Sequence, residues 1–519
     1  MPLPCPLCGT KRLFTGCLFL LLTTSAATSQ ILEEATYRVE GAGSLSQGDH
    51  TPYYLVSNRQ GLSSLERNNA YLRACVTARG TLGKESPFSF ETAMDVVAAH
   101  RFYDNLYFQQ FYLDIDYRHW LRLSLGCKEY PSELKNERLS NGGLTFAGNA
   151  RPIPQVRLEV PTYVAIPGLH NWLHIKGHIA YGRYNDDNWK EDFTSQSPYA
   201  IYQKDVLYHS KSGFLKVENL KKSPLTIEAG LEIYTQFGGS VYNHYKGKLY
   251  SMPHGFKDYV KAFIPMAGDK GTGESEESNI AGNQLGSWHL SAAYRLKEWK
   301  LRAYFEHFFE DHSQLFGFEI LSNSEGHRRP IVYGWKDMLS GVELSFPRNR
   351  FISTLVYEYI YSKQQSGAGY HDPGSYYKEQ MSGMDDYYNH SIYSAWQHYG
   401  MSIGSPVFIS PIYNSNGYIT FASTRLISHH VGLEGNPLPQ LSYRMLFTHT
   451  RNWGTYYDPL VRVETTTNWL LGLTYTLPQG GWKIALEGAL DHGRLTGNNA
   501  GGMLTVSKTG IIPIKRQEK

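Results

Sequence analysis

"FYLDIDYRHWLRLSLGC", residues 111–127, decides the fold. Its odd positions carry Phe111, Leu113, Ile115, Tyr117, His119, Leu121, Leu123, Leu125 and Cys127. Its even positions carry Tyr112, Asp114, Asp116, Arg118, Trp120, Arg122, Ser124 and Gly126. Apolar side chains recur with a period of two, which is the period of a strand, whereas helical spacings of three and four join apolar to charged residues. One face is greasy and the other ionic. Such a segment suits either a sheet packed on a core or a barrel wall between lipid and a wet interior.

The same alternation predicts a register. If "RHW" (118–120) is a three-residue turn, Asp116 lies opposite Arg122, Asp114 beside Ser124, and Ile115 opposite Leu123. An even-length loop would set Ile115 against Arg122 and turn charge toward lipid, at up to about 2–4 kcal/mol for a midplane arginine. The expectation is therefore a lumen-side ion pair, Asp116–Arg122, with Ile115 and Leu123 toward lipid. Three-residue turns usually end in a left-handed residue, ideally glycine, and none is present here. A five-residue loop over 117–121 preserves the same pairing.

The theme continues along the chain. "EWKLRAYFEHFF" sets Trp299, Leu301, Ala303 and Phe305 against Lys300, Arg302, Tyr304 and Glu306, and "GWKIALEGAL" sets Trp482, Ile484 and Leu486 against Lys483, Ala485 and Glu487. Unpaired charges on buried strands cost several kcal/mol each, on the order of a whole domain's margin, whereas a water-filled lumen solvates them. That favours a barrel over a packed sheet. After the first thirty positions no convincing helical run of apolar residues occurs.

The opening residues have a different character. Lys11 and Arg12 precede an apolar run, and Ala27 and Ser29 supply the small residues of a cleavage site, so residues 1–29 read as a signal peptide and 30–519 as the barrel. The run is shorter than the ~20 residues of a membrane-spanning helix. Cys5, Cys8 and Cys17 leave with the leader, and Cys75 and Cys127 are expected as free thiols rather than as one disulfide.

Short connections at 118–120, 297–298, 347–350, 434–440 and 478–481 alternate with long polar stretches at 128–142, 236–286, 362–389, 451–464 and 492–501. This is the rhythm of an outer-membrane barrel with short periplasmic turns and long extracellular loops. With strands of ~9–11 residues, about 18 fit (16–20), all antiparallel, and the C-terminus falls in the periplasm. The surplus of aromatic residues, 39 tyrosines among them, suits two interfacial girdles. The balance of 50 basic and 47 acidic residues gives no reason to expect nucleic acid as a partner.

Several stretches carry a resemblance: "MDDYYNHSIYSAWQHYGMSIGSPVF" (384–408), "TRLISHHVGLEGN" (424–436), "AYFEHFFEDHS" (303–313), "YGWKDMLSGVELSFP" (333–347) and "GGLTFAGNARPIPQV" (142–156). In order and spacing they resemble the Wzi-type capsule assembly family of Bacteroidetes-like bacteria, over most of the mature chain. The resemblance implies an outer-membrane surface lectin that anchors or assembles capsular polysaccharide, not an enzyme. It implies outer-membrane lipid and surface polysaccharide as partners, with polysaccharide export machinery as a further candidate. The best-understood members of that family carry a helical bundle at the periplasmic mouth, whereas the 40 or so residues after the leader show no clear bundle.

From the residues alone, 385–399 supplies Asp386, Tyr388, Asn389, Trp396, Gln397 and Tyr399, a mixture of rings for stacking and polar groups for hydroxyls that suits glycan binding. Interfacial girdle and lumen packing remain the alternative, and 390–416 does not divide into two clean crossings, which points to partial folding into the lumen. "EHFFEDHS" gathers Glu306, His307, Glu310, Asp311 and His312, but in a continuing strand Glu306 and His307 face opposite ways, as do His429 and His430. No metal or other cofactor is expected. No serine has a nucleophile setting, which argues against a hydrolase, and the rival function is a general porin or saccharide diffusion channel.

Overall fold

The computed structural model describes residues 31–83, 85–169, 171–264, 282–310, 318–322, 328–332, 336–365 and 386–514. The predicted leader, and Asp311 and His312, lie outside these residues. Eighteen strands form one closed antiparallel barrel. The first half comprises β1 Ile31–Gln47, β2 Asn68–Thr81, β3 Phe88–His100, β4 Leu106–Tyr117, β5 Leu121–Cys127, β6 Gln155–Ala165, β7 Leu173–Arg183, β8 Leu207–Glu218 and β9 Leu225–Phe237. The second comprises β10 Asn283–Arg295, β11 Lys300–Glu310, β12 Met338–Ser345, β13 Thr354–Tyr361, β14 Leu426–Leu438, β15 Leu441–Gly454, β16 Pro459–Thr476, β17 Trp482–Gly493 and β18 Asn499–Ile512. Each strand pairs with its neighbours in sequence, and β1 closes on β18 from Ala35↔Ile512 to Gln47↔Ala500.

In the β4–β5 hairpin, Arg118 (φ 48°) and His119 (φ 61°) both take the left-handed region in a three-residue turn. The register pairs Asp116 with Arg122, Asp114 with Ser124 and Ile115 with Leu123. Asp114, Asp116 and Ser124 are buried toward the lumen, while Leu123 and Ile115 are half-buried on the other face. Around the barrel that outer face carries exposed Leu72, Leu158, Leu290, Leu471 and Leu504, an apolar belt that water would not tolerate and lipid does.

The mouth that also holds both chain ends carries only short connections: 82–87, 118–120, 166–172, 219–224, 296–299, 346–353, 439–440 and 477–481. The opposite mouth carries 48–67, 128–154, 184–206, and the described residues 238–264 and 386–425, with tight tips at 101–105, 455–458 and 494–498. Of two stretches expected as long loops, 451–464 is thus mostly strand and 492–501 half strand. The reason is length. Eighteen-residue β16 exceeds the ~9–11 residues that span a bilayer, so its upper part stands in water and needs no apolar face; Val461 is fully exposed there.

The expectation of a water-filled lumen needs correction. Segments 48–67, 128–154 and 386–425 fold inward and fill much of it. Tyr53, Tyr54 and Leu55, on the short helix α1 (Tyr53–Val56), pack with Leu139, Val356 and Leu470, and a larger cluster centres on Trp396, Tyr387, Tyr388, Phe308 and Phe421. The lumenal charges hold these segments. Glu306 accepts the Leu144 N–H (2.7 Å) and pairs with Lys135 (2.7 Å). Glu358 accepts from Ser140 Oγ (2.5 Å), the Asn141 N–H (2.9 Å) and Tyr304 Oη (2.7 Å). Buried carboxylates are tolerable because each is paired or hydrogen-bonded.

Candidate functional site

The six candidate glycan residues fall into two groups. Tyr388 and Trp396 are fully buried. The Trp396 indole donates to the Thr145 carbonyl (2.9 Å), and the Tyr388 hydroxyl donates to the Leu144 carbonyl while its ring meets Phe308 and Phe408 edge-on. Asn389 clamps both backbone groups of Phe421, at 3.0 and 2.8 Å. Gln397 donates to Asp186 Oδ2 (3.2 Å) and accepts the Gly400 N–H (2.6 Å). Asp386 accepts from Thr424 Oγ1 (3.2 Å), and its carboxyl is raised above the ordinary range by burial. Tyr388 and Trp396 thus tie 386–425 to 128–154, Asp386 and Asn389 brace 386–425 internally, Gln397 ties it to the 184–206 connection, and neither buried ring presents a face to a ligand from outside.

Tyr399 is different. It sits half-buried at the mouth opposite the chain ends, with φ 52°, and its hydroxyl donates to the Asn185 carbonyl (2.9 Å). The Arg151 guanidinium lies between two rings, 4.3 Å from the centroid of Tyr399 and 3.9 Å from that of Tyr107, and its Nη1 pairs with Asp104 Oδ2 at 2.6 Å. Tyr103, 43% exposed, faces Tyr399 at 6.3 Å between ring centroids and donates to Asp192 Oδ2 (2.5 Å) on helix α2 (Asp187–Thr194). On the same helix Glu191 pairs with Lys204 (2.7 Å) and accepts from Tyr202 (3.1 Å). Beyond it, the exposed Tyr199 and Tyr245 rings lie 5.2 Å apart.

This rim brings together the 101–105 tip, the top of β4, the end of 128–154, the 184–206 connection and the segment bearing Tyr399. Sequence analysis missed Tyr103, Asp104, Arg151 and Asp192 because no local spacing links them; only Arg151 lay inside a stretch carrying the family resemblance. Chemically the rim offers ring faces beside carboxylates and one guanidinium already fixed in place. An arginine stacked on aromatic faces gains roughly 0.5–2 kcal/mol and loses little further freedom on binding.

Elsewhere in the lumen, Arg122 bridges Asp116 (Nε–Oδ1 2.8 Å) and Asp114 (3.4 Å). Glu232, His289 and Glu306 bring ligand atoms within 4.8 Å of one another, but His289 bonds Glu232 (3.0 Å) and the Lys135 ammonium already sits on Glu306. Three donors fall one short of a tetrahedral zinc set, and the cluster contains its own cation. Of the "EHFFEDHS" group, Glu310 accepts the Tyr388 N–H (2.5 Å) and His307 Nδ1 bonds the Asp337 carbonyl (2.9 Å). His430 faces the lumen, while His429 faces outward against the Tyr357 hydroxyl (2.9 Å). Cys75 and Cys127 are free thiols.

No family model and no curated protein matches this sequence. Among solved structures, the chain is similar to Wzi of Escherichia coli, described as an outer-membrane protein involved in group 1 capsule assembly and a carbohydrate-binding β-barrel. The TM-score is 0.51 at 12% identity, over 96% of this chain and 87% of that one. It also aligns with OccK5 (OpdH) of Pseudomonas aeruginosa, at TM-score 0.47 and 9% identity over 93% and 99% of the two chains. OccAB4 of Acinetobacter baumannii aligns at TM-score 0.45 and 10% identity over the same two shares. The fold is that of an outer-membrane β-barrel.

Proposed function

We propose that this chain is a Wzi-type surface lectin of the outer membrane, which holds capsular or other surface polysaccharide at the cell exterior and carries out no chemistry on it. The observation that supports this reading is the rim of Tyr103, Asp104, Tyr107, Arg151, Asp192 and Tyr399 standing above a lumen occupied by the chain's own segments. With the short turns at the periplasmic mouth, the rim faces outward. A pyranose can lay its C–H face on an exposed tyrosine while its hydroxyls bond to the flanking carboxylates. The distant likeness to a carbohydrate-binding barrel agrees with this reading.

The experiment is a deletion strain with polymer measured separately on cells and in medium. Loss of cell-bound polymer with total polymer unchanged is expected, and a Tyr103→Ala, Tyr399→Ala double variant should release polymer while its band still shifts on boiling in detergent gels. Collapse of total synthesis would assign an export role instead. A steady conductance of the purified wild type in planar bilayers would favour a diffusion channel.

A further inference from the structure

On β13–β16 the register sorts outward side chains into rows. Leu355, Leu433, Met445 and Leu471 form one; above it come Tyr357, Val431, Phe447 and Trp469; then Tyr359, His429, His449 and Thr467; then Tyr361, Ile427, Arg451 and Thr465. Their alternates, among them Val356, Glu358, His430, Thr448 and Asn468, are buried on the lumen side, so these rows belong to the outer wall. Going toward the mouth away from the chain ends, the wall changes from aliphatic to aromatic to histidine and threonine, the order expected across a lipid–water boundary.

At the top of this gradient three cations converge. Lys363 Nζ lies 4.0 Å from the centroid of the Trp453 ring and Arg451 lies 5.1 Å from it. Arg425 lies 4.0 Å from the Tyr456 ring, and the Tyr456 hydroxyl donates to the Lys363 carbonyl (3.0 Å). Among the described residues no carboxylate pairs with any of the three, and Arg425 Nε is buried without a hydrogen-bond partner. Burial, then the charges of Arg425 and Arg451, holds the Lys363 ammonium below its ordinary value. By contrast, Arg462 and Arg494 share Glu464 at 3.0 and 3.4 Å, and Arg348 pairs with Glu298 at 3.0 Å. Three like charges held together without a counter-charge create a site for an anion.

We propose that Lys363, Arg425 and Arg451 form a site on the outer wall for a phosphate group on the headgroup of a lipid in the adjoining leaflet. The position selects the source. The cations stand directly above lipid-facing rows rather than over the lumen, so an anion anchored by acyl chains meets them with its tails against Phe447, Trp469 and Leu471. Two guanidiniums and an ammonium match the oxygens of a phosphate group, and arginine presents its donors in pairs to such oxygens. The inference rests on the outer-membrane character of the barrel and not on the lectin reading.

The test uses the full-length protein, purified in detergent and stripped of lipid. Native mass spectrometry counts bound lipid A, phosphatidylcholine and inorganic phosphate in separate titrations. Wild type should retain lipid A over phosphatidylcholine, and the triple variant Lys363→Gln, Arg425→Gln, Arg451→Gln should weaken lipid A binding about 100-fold. A charge-keeping variant, Arg425→Lys with Arg451→Lys, should retain most of it, and Arg348→Gln at the other mouth should leave it unchanged. The shift on boiling confirms that each variant is folded. Equal lipid A binding by wild type and the triple variant would overturn the site. Inorganic phosphate binding as tightly as lipid A, and lost in the same variant, would overturn the lipid assignment, as would loss of binding to an acidic polysaccharide such as polygalacturonate with lipid A binding intact.

Discussion

The β4–β5 hairpin and the inner segment 386–425 draw on the same side chains and use them in opposite ways. In the hairpin, Phe111, Leu113, Ile115, Leu123 and Leu125 look outward to the lipid side, and Tyr112, Asp114, Asp116 and Arg122 look inward. In the inner segment, Tyr388, Trp396 and Phe421 are enclosed on every side, and the amides of Asn389 and Gln397 satisfy backbone and carboxylate groups. The wall has two solvents, so its sequence must alternate. The plug has only protein around it, so its order follows the shape to be filled. An aperiodic run of rings and amides therefore has the composition of a binding site whether or not it is one.

The plug is where that comparison breaks most easily. Trp396→Ala removes a fully buried ring and leaves its Thr145 carbonyl partner unsatisfied, at a cost of about 3–5 kcal/mol. Glu306→Ala should cost a similar ~3–5 kcal/mol, because it strands the Lys135 ammonium in the lumen. Both losses should fall on the plug and spare the wall. The expected result is a barrel that still shifts on boiling but is cut by protease inside 386–425 and conducts ions in planar bilayers. Loss of the heat shift along with the plug would mean that wall and plug fold as one unit.

The wall is sharpened by moving a charge across it. Leu123→Arg, three residues beyond the 118–120 turn, should destabilise by about 1–2 kcal/mol, less than the ~2–4 kcal/mol of a midplane arginine, measured by reversible unfolding in vesicles. Exchanging the partners, Asp116→Arg with Arg122→Asp, keeps an ion pair on the lumen face and should cost much less. The difference between the two results measures how strongly lipid enforces the register.

What could be read in advance follows the same division. Strand class and the face of each hairpin residue follow from alternation and from the cost of charge in lipid, both local properties, and strand number follows from chain length and the rhythm of connections. The tips at 455–458 and 494–498 were obscured because strands that rise above the bilayer lose their apolar face and then look like loops. The rim was illegible for another reason. Arg151 meets Tyr107 and Tyr399 only because separate connections converge over one mouth, and no spacing in the chain encodes that meeting. Lys135 beside Glu306 is hidden in the same way.

The smallest effect expected separates plug from wall by pH. His390 is held neutral in the fold, since burial pulls it from an ordinary value near ~6.5 down to about 4. Geometry gives the same answer: His390 Nδ1 accepts the backbone N–H groups of Ile392 (3.1 Å) and Tyr393 (3.3 Å), so a proton on that nitrogen would displace both. The folded value lies below the unfolded one, and the unfolded plug therefore binds the extra proton. Stability from this group is complete above the unfolded value and falls as pH drops from ~6.5 toward 4. His390 is only half-buried, which keeps the loss to the order of 1 kcal/mol. Protease cleavage within 386–425 should accelerate over that window while the heat shift of the barrel stays constant, and His390→Gln should flatten the dependence. An equal acid response in the His390→Gln variant would place the sensitivity in another group and leave His390 as packing alone.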